Sequence, residues 1–152
     1  MFQKILVATD LTEHSANVLP TALRLARAVG GSLTVTHVIE KPSESSHWLS
    51  PLFDEEMRTY QGALQREEES ARKLLAEAIQ AAGADPEQVS VEVITGRAAD
   101  AVVALGAELE VDLIVVGTRG REGVIGSVAE RITRTARRPV LVIPQHGAPP
   151  AQ

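Results

Sequence analysis

Four glycines, at positions 117, 120, 123 and 126, join an apolar run to a segment of helical spacing, and the stretch from Gly117 to Val128 carries the residue types best suited to chemistry. Glycine tolerates positive φ and lets a ligand approach the main chain closely. A helix beginning at Ser127 presents unpaired N–H groups and the positive end of its dipole, a combination suited to holding phosphate. Arg119 and Arg121 add cationic donors. The Ser127-x-x-Glu130 spacing is that of a capping box, which explains both residues without a ligand. On residue types alone the turn therefore reads as a phosphate grip or as a plain reversal from strand to helix. It is not a Walker A loop, because no Lys precedes Ser127, and it lacks the G-x-G-x-x-G spacing of a dinucleotide fingerprint.

These residues need a scaffold, and hydrophobic patterning supplies one. Val111 to Val116 is a short, nearly continuous β-branched run, the pattern of a parallel strand buried on both faces. Lys4 to Thr9 is a similar strand and sets Asp10 at its carboxyl end, where open α/β sheets carry their ligands. Thr12 is the predicted N-cap of the next helix, whose core face reads Leu19, Ala22, Leu23, Ala26 and Val29, with a kink expected at Pro20. Gly30 and Gly31 stop it, and Ser32 to Ile39 forms a second strand in which His37 reads as a packed, hydrogen-bonded residue. Residues 41–51 are polar and irregular and read as a mobile excursion in which Trp48 covers either a ligand or a partner.

A long amphipathic helix follows, with Met57, Tyr60, Leu64, Ala71, Leu74, Ala78 and Ile79 on its apolar face, an interruption at Glu67 to Glu69, and an end at Gly83. Val89 to Thr95 alternates as a strand near a sheet edge does, and Ala98, Val102, Leu105 and Leu109 outline the helix after it. The helix from Ser127 to about Ala136 and a last strand from Pro139 to Pro144 complete the pattern, and residues 145–152 read as a disordered tail. Strict alternation of strand and helix predicts one α/β domain over 1–144, a doubly wound five-stranded parallel sheet with helices on both faces, for which the common strand order 3-2-1-4-5 is expected. That order brings Asp10 opposite Gly117. It also makes the last strand an edge although Val140 to Ile143 is apolar on both faces, which predicts a homodimer paired through that strand.

Composition narrows the function. A chain of 152 residues with 44% apolar and 23% charged residues is an ordinary globular domain. The absence of Cys removes disulfides, thiolate chemistry and zinc-thiolate sites, and fits a reducing compartment. A net charge of -5 and an aromatic set of two Phe, one Tyr and one Trp argue against a nucleic-acid face. No signal-like segment precedes the first strand and no apolar run reaches bilayer length, so a cytoplasmic protein without membrane contact is expected.

Taken in order, the segments 4–10, 37–38, 112–120, 126–130 and 138–143, together with Gly96, resemble the universal stress protein family over nearly the whole chain. Nucleotide-binding members carry G-x2-G-x9-G-[ST], and Gly117, Gly120, Gly126 and Ser127 occupy its marked positions. The resemblance implies a small cytosolic regulatory protein of the stress response that binds ATP or AMP/ADP, with or without Mg. It further implies that the main chain of Val38 reads the adenine, that Ala8, Thr9 and Asp10 line the adenosine side, with Asp10 near the ribose or a metal ion, and that Gly117, Thr118, Arg119, Gly120, Gly126, Ser127 and Val128 hold phosphates. The chain departs from the pattern in one place, since only residues 121–125 separate Gly120 from Gly126. Five residues span at most about 16 to 18 Å, which closes the turn but leaves fewer N–H groups to wrap a triphosphate and favours AMP or ADP, or a looser triphosphate grip.

Two alternatives compete. A nucleotide-free module of the same fold would act through dimerisation and protein partners of unknown identity, and the short loop favours it. A slow ATPase is the weaker alternative. The turn from Asp10 to Ser15 lacks the S-G-G-x-D-S pyrophosphate loop of ATP pyrophosphatases, and no second acid-base cluster is evident, so no catalytic or metal-ligating residue is assigned.

Overall fold

A computed structural model of the chain describes residues 1–12, 16–40, 53–118 and 125–144. The elements follow one another as β1 (Lys4–Ala8), α1 (Val18–Val29), β2 (Ser32–Glu40), α2 (Phe53–Ala81), a short 3-10 turn (Pro86–Gln88), β3 (Ser90–Gly96), α3 (Ala98–Glu108), β4 (Leu113–Gly117), α4 (Ser127–Thr135) and β5 (Val140–Ile143). The strands form one parallel sheet, as the alternation of strand and helix predicts, in the expected order β3-β2-β1-β4-β5. Leu6 pairs with Thr34 on one side and Ile114 on the other, so β1 is central and its carboxyl end abuts that of β4.

Two apolar layers sandwich the sheet, because successive strand residues point to opposite faces. Ile5, Val7, Leu33, Val35, Leu113 and Val115 pack beneath α1 and α2, with Leu19, Leu23, Leu75 and Ile79 opposite them. Leu6, Ile114 and Val116 face α3 and α4 through Val102, Leu105, Ala129 and Ile132. At the amino ends, the Asp112 carboxylate accepts the Gln3 N–H at 2.8 Å and the Lys4 N–H at 3.1 Å, while the Asp112 N–H donates to the Lys4 carbonyl at 2.9 Å. This three-bond stitch fixes β1 against β4 on the side away from the glycine turn.

Several local expectations need correction. The first helix begins at Val18 behind Asn17, not behind Thr12. Thr12 is committed elsewhere: its N–H and hydroxyl both donate to Asp10 Oδ1, at 3.0 and 2.7 Å, in a tight turn in which Leu11 takes a left-handed φ of 61°. Pro20 consequently falls in the first helical turn, where its missing N–H has no intrahelical acceptor to lose and no kink is required. Helix α2 runs unbroken through Glu67 to Glu69, since glutamate is a good helix former and these side chains sit on the outward side. Its buried stripe is Ala71, Leu75 and Ile79, and Leu74, expected inside, is 46% exposed. The capping box is not formed, because Gly126 takes the cap position with extended backbone and no side-chain bond, which shifts Ser127 to the first helical residue. Glu130 instead lies 3.5 Å from Arg134, one turn on.

The mobile excursion with Trp48, the residues from Arg119 and Gly120 to Val124, and the expected tail at 145–152 lie outside the described residues. No helix among the described residues is long and apolar enough to cross a membrane.

Candidate functional site

The carboxyl ends of β1, β2 and β4 surround a cavity of about 240 Å³, roofed by α3 and α4. Its position is the switch point of the sheet, where the strand order reverses and the two flanking crossovers diverge. Ala8, Thr9 and Asp10 enter from the end of β1, Val38 and Glu40 from β2, Val116 and Gly117 from β4, Ala98 and Val102 from α3, and Val128 and Ile132 from α4. A larger, shallow hollow of about 720 Å³ follows the outer surface of α1 past Thr21, Arg24 and Leu25, but among the described residues its lining lies on one helix and gathers no convergent groups. The smaller cavity is the better candidate because it unites main-chain and acidic groups over an apolar floor.

Each wall has a local cause. The Thr9 N–H donates to the Thr36 carbonyl at 3.0 Å, the last rung of the β1–β2 ladder. The chain then breaks away: the Leu11 N–H turns back to Thr9 Oγ1 at 3.2 Å, and Asp10 Oδ1 holds Thr12, so Asp10 is presented at the rim. In a parallel strand a residue's N–H and C=O point to the same side, and the side alternates along the chain. Thr36 directs its pair toward β1, so Val38 does too, two residues later and beyond the last rung. The main-chain edge of Val38 therefore faces the cavity. His37 lies between them and its Nδ1 is 3.0 Å from the Thr9 carbonyl. A carbonyl only accepts, so Nδ1 carries the proton in this bond.

The chemistry available here is specific. Val38, Val102, Val116, Val128, Ile132 and Ala8 offer an apolar slot for a flat ring, beside a main-chain edge with one donor and one acceptor. The carboxylates of Asp10 and Glu40 lie at the rim and suit hydroxyl groups or a cation. The amino end of α4, nine residues long and capped by Gly126 without a side-chain bond, suits an anion. Across the α3–α4 pair that roofs the cavity, Arg131 Nε donates to Asp100 Oδ1 at 2.9 Å.

Of the residues singled out in the sequence, Ala8, Thr9, Asp10, Val38, Gly117 and Val128 meet around this one cavity. Gly126 and Ser127 stand immediately before Val128 at the start of α4, outside the lining. The Thr118 N–H continues the sheet by donating to the Ile143 carbonyl at 3.0 Å and is also outside the lining. Glu40, Ala98, Val102, Val116 and Ile132 line the cavity without having been anticipated, and His37, read only as packed, lines it too. A signal for Glu40 was present, since it lies two residues beyond Val38 on the same face of β2.

Comparison with known proteins identifies the family and the fold. Residues 1–144 match the sequence model of the Universal stress protein family. The "Universal stress protein in QAH/OAS sulfhydrylase 3'region" of Thermus aquaticus is 33% identical over 147 residues, covering 94% of this chain and 99% of that protein. The "Universal stress protein YxiE" of Bacillus subtilis is 28% identical over 153 residues, covering 94% and 99%. Among solved structures, a universal stress protein in complex with cAMP superposes with a TM-score of 0.64 at 24% identity, covering 95% of this chain and 98% of that one. The universal stress protein of Archaeoglobus fulgidus in complex with dAMP gives 0.62 at 22% identity, covering 94% and 99%.

Proposed function

Because the chain belongs to the universal stress protein family, we propose that it is a regulatory protein that binds an adenine nucleotide between the carboxyl ends of β1 and β4. The observation that carries this reading is the exposed main-chain edge of Val38, set beside an apolar slot and across from Gly117 and the start of α4. Adenine needs such a donor-acceptor edge and such a slot. Asp10 then meets the ribose or a bound cation, and the α4 amides with the Gly117 turn meet phosphate. Structural neighbours in complex with cAMP and dAMP support adenine as the base and a single phosphate as sufficient.

The ligand preference follows from what surrounds the phosphate end. The run between Gly120 and Gly126 is short, so few main-chain amides are left for a second and third phosphate. AMP or ADP should bind more tightly than ATP when Mg is absent, because each added phosphate gains few extra amides. Titration calorimetry with AMP, ADP and ATP, each with and without Mg, tests this. No heat and no thermal stabilisation with any of the three at millimolar concentration would remove the nucleotide assignment. Occupancy then acts through differential affinity of the ligand for two conformations or partner-bound states.

The same short run favours a second reading, a nucleotide-free module working through its surfaces. In either case the outer edge of β5, unpaired among the described residues and with Leu141 37% exposed, is the surface proposed for a homodimer. Native mass spectrometry of freshly purified protein separates the readings, since a nucleotide mass on the dimer belongs only to the first.

A further inference from the structure

We propose that His37 is the positioning residue that ends the β1–β2 ladder and thereby keeps the Val38 amide available to the ligand. The inference rests on the nucleotide reading of the cavity and assigns a role in it to a side chain outside the glycine turn. In the parallel register set by Ala8 opposite Thr36, the rung after Thr9 N–H to Thr36 C=O would run from the Val38 N–H to the Thr9 carbonyl. Among the described residues that carbonyl takes the imidazole Nδ1–H at 3.0 Å and not the Val38 amide. The side chain of one residue has replaced the main chain of the next.

The replacement has two effects on the site. It places a side-chain donor on the carbonyl that the next rung would use, and with that rung unmade the amide stays directed at the cavity that Val38 lines. It also fixes the carbonyl of Thr9, the residue from which the backbone departs into the Asp10 turn and the left-handed Leu11. Because the carbonyl can only accept, neutral His37 is confined to the Nδ1–H form, and Nε2 keeps its lone pair.

Hydrogen exchange by NMR reads this directly, since an amide is protected only when it is bonded. In the nucleotide-free wild type the Val38 amide should exchange at least about tenfold faster than that of Thr36, and nucleotide should slow it. In His37→Phe the rung should form, so that Val38 becomes protected without ligand and AMP affinity falls about tenfold, the worth of one lost hydrogen bond. His37→Asn places its amide N–H near the position of Nδ1 and should restore both exchange and affinity, whereas His37→Gln should not. A long-range nitrogen-proton spectrum of the wild type should show the neutral ring protonated on Nδ1. A neutral ring protonated on Nε2, a Val38 amide already protected in the free protein, or a Phe variant with unchanged exchange and affinity would each overturn the proposal. Absence of nucleotide binding by the wild type would remove the parent reading, while the exchange rates and the ring tautomer would still decide whether His37 ends the ladder.

Discussion

Replacing Thr36 by valine should make this protein more stable. Thr36 sits in the middle of the sheet, paired with Ala8 on one side and Glu92 on the other, and is 0% exposed. Its Oγ1 is buried and, among the described residues, has no hydrogen-bond partner. Burying a hydroxyl without a partner costs about 1–3 kcal/mol in protein mutational series. Valine keeps the branched shape and the strand preference while putting a methyl group where the hydroxyl was. The expected gain is about 2 kcal/mol, and at about 2–4 °C per kcal/mol for a domain of this size the Tm should rise by roughly 4–8 °C. Urea unfolding followed by circular dichroism supplies the free energy, and an unchanged m-value shows that the unfolded state is unaltered. Thr36→Ser is the control: it retains the hydroxyl, loses the methyl and should be less stable than wild type. A Thr36→Val protein equal to or weaker than wild type would refute the reasoning, because it would mean that the hydroxyl is bonded in solution, for instance to a buried water.

Substitutions at three other positions probe the site and the sheet. Asp10→Ala removes the acceptor that holds the Thr12 N–H and hydroxyl, and should cost about 2 kcal/mol by thermal unfolding, whereas Asp10→Asn retains that oxygen and should cost less than about 1 kcal/mol while still weakening any Mg-dependent binding. Ala98→Trp projects bulk into the cavity from the first residue of α3 and should weaken AMP binding more than about tenfold with little change in Tm, as titration calorimetry and a melt on one sample will show. Gly31→Ala places a Cβ 2.5 Å from the Phe2 carbonyl oxygen and 3.2 Å from that of Gln3, so the backbone at the start of β1 must shift; a loss of about 3 kcal/mol in urea unfolding is expected.

The parallel sheet was readable because each strand is a compact apolar run separated by a helical repeat, whereas its order was expected as a common doubly wound arrangement that the runs themselves do not encode. Helix boundaries were less readable where two side chains compete for one role. Thr12 has the chemistry of a cap, but Asp10, two residues before it, captures its N–H first. Ser127 has it as well, yet Gly126 reaches the cap position one residue earlier. In α2 the adjacent leucines 74 and 75 leave the phase of the stripe open, and only packing against the sheet selects Leu75. The cavity shows the same division. Asp10 and Gly117 stand at strand ends and follow from the sheet order, Val38 follows from the family resemblance, and Ala98, Val102 and Ile132 arrive from helices whose rotation about their axes depends on tertiary contact. The place of His37 on the Thr9 carbonyl depends on the β1–β2 register, which no spacing along the chain encodes.

The Asp112 stitch gives the central seam two unlike poles. At one, a carboxylate bonds two successive amides and locks the strands. At the other, the strands part into turns that carry no share of that lock. Residues can be added to or removed from those turns without loosening the knot that sets which strand neighbours which. On the proposed nucleotide reading, ligand choice and strand order thereby become separable properties of the chain, and the short run after Gly120 bears on the first and not on the second.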